Sequence, residues 1–284
     1  MKLVVEKNGE LLDYLYQKLE MPKKRIKQYL THGAIYVNNN KVTKYNYPLV
    51  IGMNIVIDTN SKGKKNLPFS ILFEDDHIIV VNKPSGLLTI ATEKEKERTL
   101  YHIVRGYLQE KNQYSKVFIV HRLDKDTSGI VILAKDEKTK KQLQDNWNEF
   151  VSLREYIGVV HGTLKKKEDT IVQRLKETKT NLVYVSKDED AKEAITKYQV
   201  IKENENYSMI NIQIETGRKN QIRVAFATLK NPIVGDQKYG LKTDKASRLY
   251  LHANRLKMYY PELKKEILLE TPVPTEFKRI MNSR

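Results

Sequence analysis

The residues best suited to chemistry lie in one short segment, His121-Arg122-Leu123-Asp124-Lys125-Asp126. A carboxylate, a guanidinium and an imidazole there can converge on one ligand. The flanks indicate how they are held. Val117 to Val120 and Ile130 to Leu133 are apolar and rich in β-branched residues, which predicts buried strands, and Asp126, Thr127, Ser128 and Gly129 supply turn residues between them. Asp124 is therefore expected at the rim of a rigid sheet. By residue type alone, an aspartate in a turn more often caps backbone N–H groups, so a reacting carboxylate needs support from the rest of the chain.

Composition narrows the partner. The chain has 284 residues, 40% of them hydrophobic, enough for one large core and a small appended domain. Lys and Arg number 51 against 35 Asp and Glu, a net charge of +16, which favours a polyanion such as RNA or an anionic membrane surface. No apolar run reaches transmembrane length, and Met1-Lys-Leu-Val-Val-Glu-Lys lacks the long apolar core of a signal peptide, which weakens the membrane option. There is no cysteine, and the histidines show no metal-ligand spacing. A cytoplasmic protein without metal or cofactor is expected.

Residues 1–60 read as a separate module. Leu11, Leu12, Leu15 and Leu19 follow helical spacing; a second helix starts at Pro22 and stops near Gly33. That helix carries Lys23, Lys24, Arg25 and Lys27, with Ile26 and Leu30 on its apolar side. Ala34 to Thr43 predicts a hairpin around an Asn-rich turn, and Leu49 to Ile57 a further strand. Ser61 to Pro68 is polar and aperiodic, giving a linker over 61–69 and a second domain over 70–284. This domain opens with two strands around an acidic turn in Ile71–Leu87. Glu93 to Arg98 alternates in sign, which suggests a solvated loop. Helices are predicted over 99–108 and, N-capped by Asp136, over 137–150. Strands are predicted over 153–160, 170–175, 182–185, 194–201 and 207–214, in the last of which Ile210, Ile212 and Ile214 point one way. The fold class is α+β, built on a largely antiparallel sheet.

His121-Arg122-Leu123-Asp124 followed by Thr127-Ser128-Gly129 resembles the HRLD-x-x-TSG signature of the RluA-type pseudouridine synthases. The likeness continues in motif order: Lys83-Pro-Ser-Gly-Leu87; Arg154-Glu-Tyr156 within the strand to Gly162; Thr216-Gly-Arg-Lys-Asn-Gln-Ile-Arg223; Pro232 to Gly240; and Leu251-His252-Ala253 with Leu256. The resemblance implies an enzyme that needs no cofactor, works as a monomer, and isomerises uridine in structured ribosomal or transfer RNA. It implies Asp124 as the catalytic carboxylate, Tyr156 packed on the uracil, Arg223 paired with Asp124, and Ile222 beside the base. Arg122, with His121 before it, would contact RNA and fill the space left by a flipped base. Lys83 could reach a phosphate. Residues 1–60, with the stretch His32 to Asn38, resemble the alpha-L RNA-binding domain of ribosomal small-subunit proteins, so Lys23, Lys24, Arg25 and Lys27 would hold phosphates. Two departures stand out: Asn220 and Ala225 occupy positions where the family commonly has His. They are the one encouragement for an alternative, a non-catalytic RNA-binding or ribosome-assembly protein on the same fold.

Overall fold

The computed structural model describes residues 1–31, 33–58, 67–93 and 95–282. His32, Lys94 in the expected 93–98 loop, and most of the expected linker, 61–66, lie outside the described residues. The chain divides into two compact units, Met1–Leu67 and Pro68–Arg284.

The first unit packs helices Leu11–Lys18 and Lys23–Thr31 on a small sheet of Lys2–Val4, Asn54–Ile57, Ile35–Val37 and Asn40–Val42. Leu11, Leu15, Ile26, Leu30, Ile35 and Ile55 form its core, because the apolar residues of both helices recur at helical spacing. Lys23, Lys24, Arg25 and Lys27 are exposed on the opposite side. The hairpin turn uses positive φ at both Asn38 and Asn39, a conformation asparagine tolerates better than most residues. The single strand expected over 49–57 is instead two, Pro48–Leu49 and Asn54–Ile57, separated by a turn in which Gly52 takes φ +86°.

The second unit is built on an 11-stranded sheet. Its order runs Val183–Val185, Glu168–Glu177, Lys192–Glu203, Tyr207–Ile214, Val151–His161, Leu251–Tyr260, Ser128–Ala134, Ile78–Lys83 and Ser70–Glu74. Lys265–Glu270 lies beside Leu251–Tyr260, and Phe118–Ile119 beside Ser128–Ala134. All pairings are antiparallel except that of Ser128 and Gly129 with His252 and Ala253. The α+β class with a largely antiparallel mixed sheet is as expected. At the parallel junction Gly129 takes φ +120°, and a Cβ there would stand 2.2 Å from the Ala253 carbonyl oxygen, so only glycine fits the end of the Thr-Ser-Gly triplet.

Helix Leu100–Lys111 is capped by the Thr99 hydroxyl, and Asp136 caps the next helix through the Thr139 N–H. That second helix ends at Asp145; Asn146 breaks it before the single turn Trp147–Phe150. Ile210, Ile212 and Ile214 face the core as their alternation predicts, packed with Val159, Phe226 and Ile233. Strand Lys265–Glu270 and helix Thr275–Ile280 had no counterpart in the sequence reading.

Candidate active site

Asp124 lies just before the parallel junction, in a loop whose carbonyls are held one after another by residues 83–89. The Thr89 hydroxyl donates to Leu123 O at 2.8 Å, Gly86 N–H and the Lys83 ammonium both donate to Lys125 O at 3.0 Å, and the Ser85 hydroxyl donates to Asp126 O at 2.6 Å. Backbone on both sides of Asp124 is thus fixed while its side chain stays free to reach into the cleft. Lys83 does not reach a phosphate. It is fully buried, and its Nζ also donates to Pro84 O at 3.0 Å and Leu87 O at 2.8 Å. Burial pushes the Lys83 ammonium down to about 7, opposed by the charges of Asp126 and Asp124.

A cleft of about 90 Å³ opens beside Asp124, lined by Arg122, Leu123, Tyr156, Ile214, Ile222 and Arg223 among others. This is far smaller than the several hundred Å³ of a typical ligand pocket, and suits a single flat ring rather than a large ligand. Tyr156 comes from the strand Val151–His161, and Ile222 and Arg223 from the first turn of helix Gln221–Thr228. Burial raises the Tyr156 phenol to about 12, so it is neutral at working pH.

Arg223 meets two carboxylates. Its Nε and Nη2 donate to Asp236 at 2.8 and 2.7 Å, a bidentate pair in which the Asp236 side chain is fully buried, and its Nη1 stands 3.6 Å from Asp124 Oδ2. The expected pairing with Asp124 is therefore the longer of the two contacts, and Asp236 is what fixes the guanidinium. Asp236 is fixed in turn by the N–H groups of Lys238 and Tyr239, each at 2.9 Å. Arg223 and these N–H groups hold the Asp236 carboxyl below its usual value despite burial. For Asp124, burial pushes the carboxyl up while Arg223 and Lys83 oppose it; the net direction is upward, although its side chain keeps 29% of its surface exposed. The guanidinium therefore limits a rise rather than producing a strongly acidic carboxyl. Asp236 lies within the Pro232 to Gly240 stretch, for which the sequence implies no role at this position. The signal that could have found it is the Gly-Asp turn at 235–236 combined with the rule that a buried arginine needs a carboxylate.

Asn220 explains itself structurally. It stands at φ +53° just before the helix, its amide donates to the Tyr239 hydroxyl at 3.0 Å, and its carbonyl accepts from Arg223 Nη1 at 3.3 Å. Ala225 is buried in the core against the sheet, away from the cleft. Neither departure from the usual histidine therefore speaks for lost catalysis.

His121 does not join the cleft. Its Nε2 accepts the Ile132 N–H at 3.1 Å and its ring lies 4.8 Å from that of Trp147. Burial, aided by the Arg154 charge, pushes the imidazole down to about 4, so it is neutral and serves the fold. Arg122 is exposed at the cleft mouth. Lys23, Lys24, Arg25 and Lys27 belong to the first unit; Lys23 Nζ lies over the Tyr16 ring at 5.1 Å and Arg25 against Tyr29.

Comparison with known proteins adds an independent line. An RNA pseudouridine synthase of Mycoplasma pneumoniae, itself uncharacterized, is 31% identical over 93% of this chain and 89% of that protein. The ribosomal large subunit pseudouridine synthase C of Buchnera aphidicola is 31% identical over 93% of this chain and 89% of its own length. Among solved structures, human RNA pseudouridylate synthase domain containing 4 superimposes with a TM-score of 0.62 at 23% identity, covering 74% of this chain and 90% of that one, which shows the fold. The family model described as RNA pseudouridylate synthase matches residues 77–228, a span holding Lys83, Asp124, Tyr156 and Arg223. With more than half of its length inside that match, the chain belongs to the RNA pseudouridylate synthase family.

Proposed function

We propose that this RNA pseudouridine synthase isomerises uridines of structured RNA, ribosomal RNA before transfer RNA, with Asp124 as the reacting carboxylate. The observation that carries this reading is the Asp124 carboxylate in the small cleft, 3.6 Å from a guanidinium that Asp236 holds in place. The preference for ribosomal RNA rests on relatives named as ribosomal large subunit synthases.

The reaction breaks the bond from C1′ to N1, turns the uracil, and joins C1′ to C5; N1 ends with a proton and C5 loses one, so no atom is gained or lost. Ionised Asp124 serves either by attacking C1′ or by removing the C2′ proton, and both routes need the carboxylate charge. Arg223 favours that charge. Tyr156 and Ile222 pack the base, and with Leu123 and Leu251 they exclude the water that would capture a detached sugar. A stacked uridine must leave its helix at a cost of about a few kcal/mol, and Arg122 at the mouth fills the space behind it. The basic helix Lys23–Thr31, on a unit read as an alpha-L type RNA-binding domain over residues 1–60, adds affinity through phosphates without reading sequence. The enzyme is read as a monomer that needs no metal, acting in the cytoplasm.

The test incubates unmodified ribosomal and transfer RNA transcripts with the wild type and with Asp124→Asn, without added metal or cofactor. Pseudouridine is read by nuclease digestion and chromatographic retention, because the two nucleosides share one mass. Product from the wild type alone supports the reading. Product from Asp124→Asn at wild-type rate removes Asp124 from the chemistry.

A further inference from the structure

We propose that Arg154 is a phosphate-binding residue of the active site, taking a backbone phosphodiester that flanks the flipped uridine. The inference rests on the RNA substrate argued above and goes beyond it by assigning a subsite.

Strand alternation puts Arg154 on the same face as Tyr156, two residues on, and so on the cleft side of the sheet. Its Nη2 donates to the Glu215 carbonyl, and no carboxylate is paired with it among the described residues. Several neighbouring cations do have one, whereas among the described residues Arg122 and Arg218, which line the cleft, share its lack of a carboxylate, Arg218 Nε donating to the Glu193 carbonyl. Arg223 has Asp236 and Asp124, Lys219 has Glu177, Arg255 has Glu155 and Glu270, and Arg248 has Glu276. Arg154 is thus a sheltered guanidinium with one carbonyl for company, and burial holds it below its usual value. The positive charge acts on its surroundings, since it opposes the rise of the Tyr156 phenol and adds to the fall of the His121 imidazole.

The second observation concerns Gly217, which lines the cleft. A Cβ at this position would stand 3.1 Å from Arg154 Nη1, so any side chain here would crowd the guanidinium. Glycine spares the guanidinium that crowding, and Arg154, although not itself part of the cleft lining, sits directly behind a lining residue. An anion arriving there would meet a planar, permanently charged fork that has already lost part of its hydration, the setting in which arginine binds phosphate well. RNA brings that anion with every nucleotide, and one lodged in the cleft carries its phosphate to the rim.

The test uses the full-length protein and a stem-loop of ribosomal RNA that the wild type converts. Binding is measured from low to high salt for wild type, Arg154→Gln and Arg154→Lys. Loss of one phosphate contact weakens binding about tenfold and lowers the slope of log K against log salt by about 0.7 to 0.9. Arg154→Gln is expected to show both changes, and Arg154→Lys to keep most of the slope. A second substrate carries one neutral methylphosphonate linkage beside the target uridine; it should weaken binding to the wild type about tenfold and leave Arg154→Gln unaffected. A merely structural role for Arg154 would lower stability without touching the slope. An unchanged slope together with an equal methylphosphonate penalty in both proteins overturns the assignment. Absence of pseudouridine from the wild type would instead defeat the functional reading, and conversion is scored separately from binding.

Discussion

Arg223→Gln tests the electrostatic reasoning most directly. Arg223 Nη1 lies 3.6 Å from Asp124 Oδ2. At an effective dielectric of about 20, unit charges at that separation attract by roughly 4 to 5 kcal/mol. Two features reduce this figure. Asp236 neutralises much of the guanidinium from 2.7 Å, and Asp124 keeps 29% of its side chain exposed. The net effect expected of losing the guanidinium is a further upward push on the Asp124 carboxyl, smaller than the bare attraction implies. The sign is fixed: a carboxylate that must be ionised to act becomes harder to ionise when the cation leaves. The acid limb of the pH–rate profile should therefore move upward. The assay is single-turnover pseudouridine formation from about pH 5 to about pH 9, with thermal melts run alongside, because Asp236 is left buried and unpaired. The position of a pH limb does not depend on the folded fraction so long as folding itself is flat over the range. An acid limb at the wild-type position would refute the claim that Arg223 sets the ionisation of Asp124.

Three other outcomes follow from the same geometry. Asp236→Asn breaks a buried bidentate pair and should cost roughly 3 to 5 kcal/mol of stability in urea melts, a change that a solvent-facing aspartate would not produce. His121 and His252 are both pushed down to about 4 by burial, so each takes up its proton in the unfolded chain first. Their stabilisation is complete above about pH 6.5 and is lost as pH falls toward about 4, by roughly 3 kcal/mol for each; His121→Gln should flatten that acid slope in denaturant titrations across the window. Arg122→Ala should slow turnover on a paired stem more than on a flexible loop, because only the stem needs a base replaced; equal losses on both would remove the flipping role.

Local patterns in the chain carried the reading a long way, and they failed for specific reasons. Asp124, Tyr156, Ile222 and Arg223 meet in one cleft, as their motifs imply. His121 sits beside them in sequence yet turns to Trp147 and the Ile132 N–H, and a partner 26 residues away leaves no mark on the local pattern. The Asp236 pairing is hidden for the same reason. Lys83 reads as a cation free to reach a phosphate, but three carbonyls from two separate loops enclose it. The run Leu49 to Ile57 is apolar enough to suggest one strand, whereas the positive φ of Gly52 within it marks a turn. Alternation in Tyr207–Ile214 and the Asp136 cap were legible because each is decided by neighbours a few residues away.

The parallel junction has a consequence for how the enzyme is made. Ser128 Oγ and His252 Nδ1, 2.8 Å apart in the folded protein, are separated by 124 positions in the chain. At roughly 5 to 20 residues per second, a ribosome needs about 6 to 25 s to cover that interval. During this time Ser128 and Gly129 have no partner on their outer side, and the edge next to Asp124 is open to other strands. Nascent chains thus carry Asp124 well before they have an active site, and they pass through a period in which mispairing at this edge competes with completion. A chaperone that shields this edge should raise the yield of active enzyme more than one acting on the N-terminal unit, whose own sheet is complete within its first 57 residues.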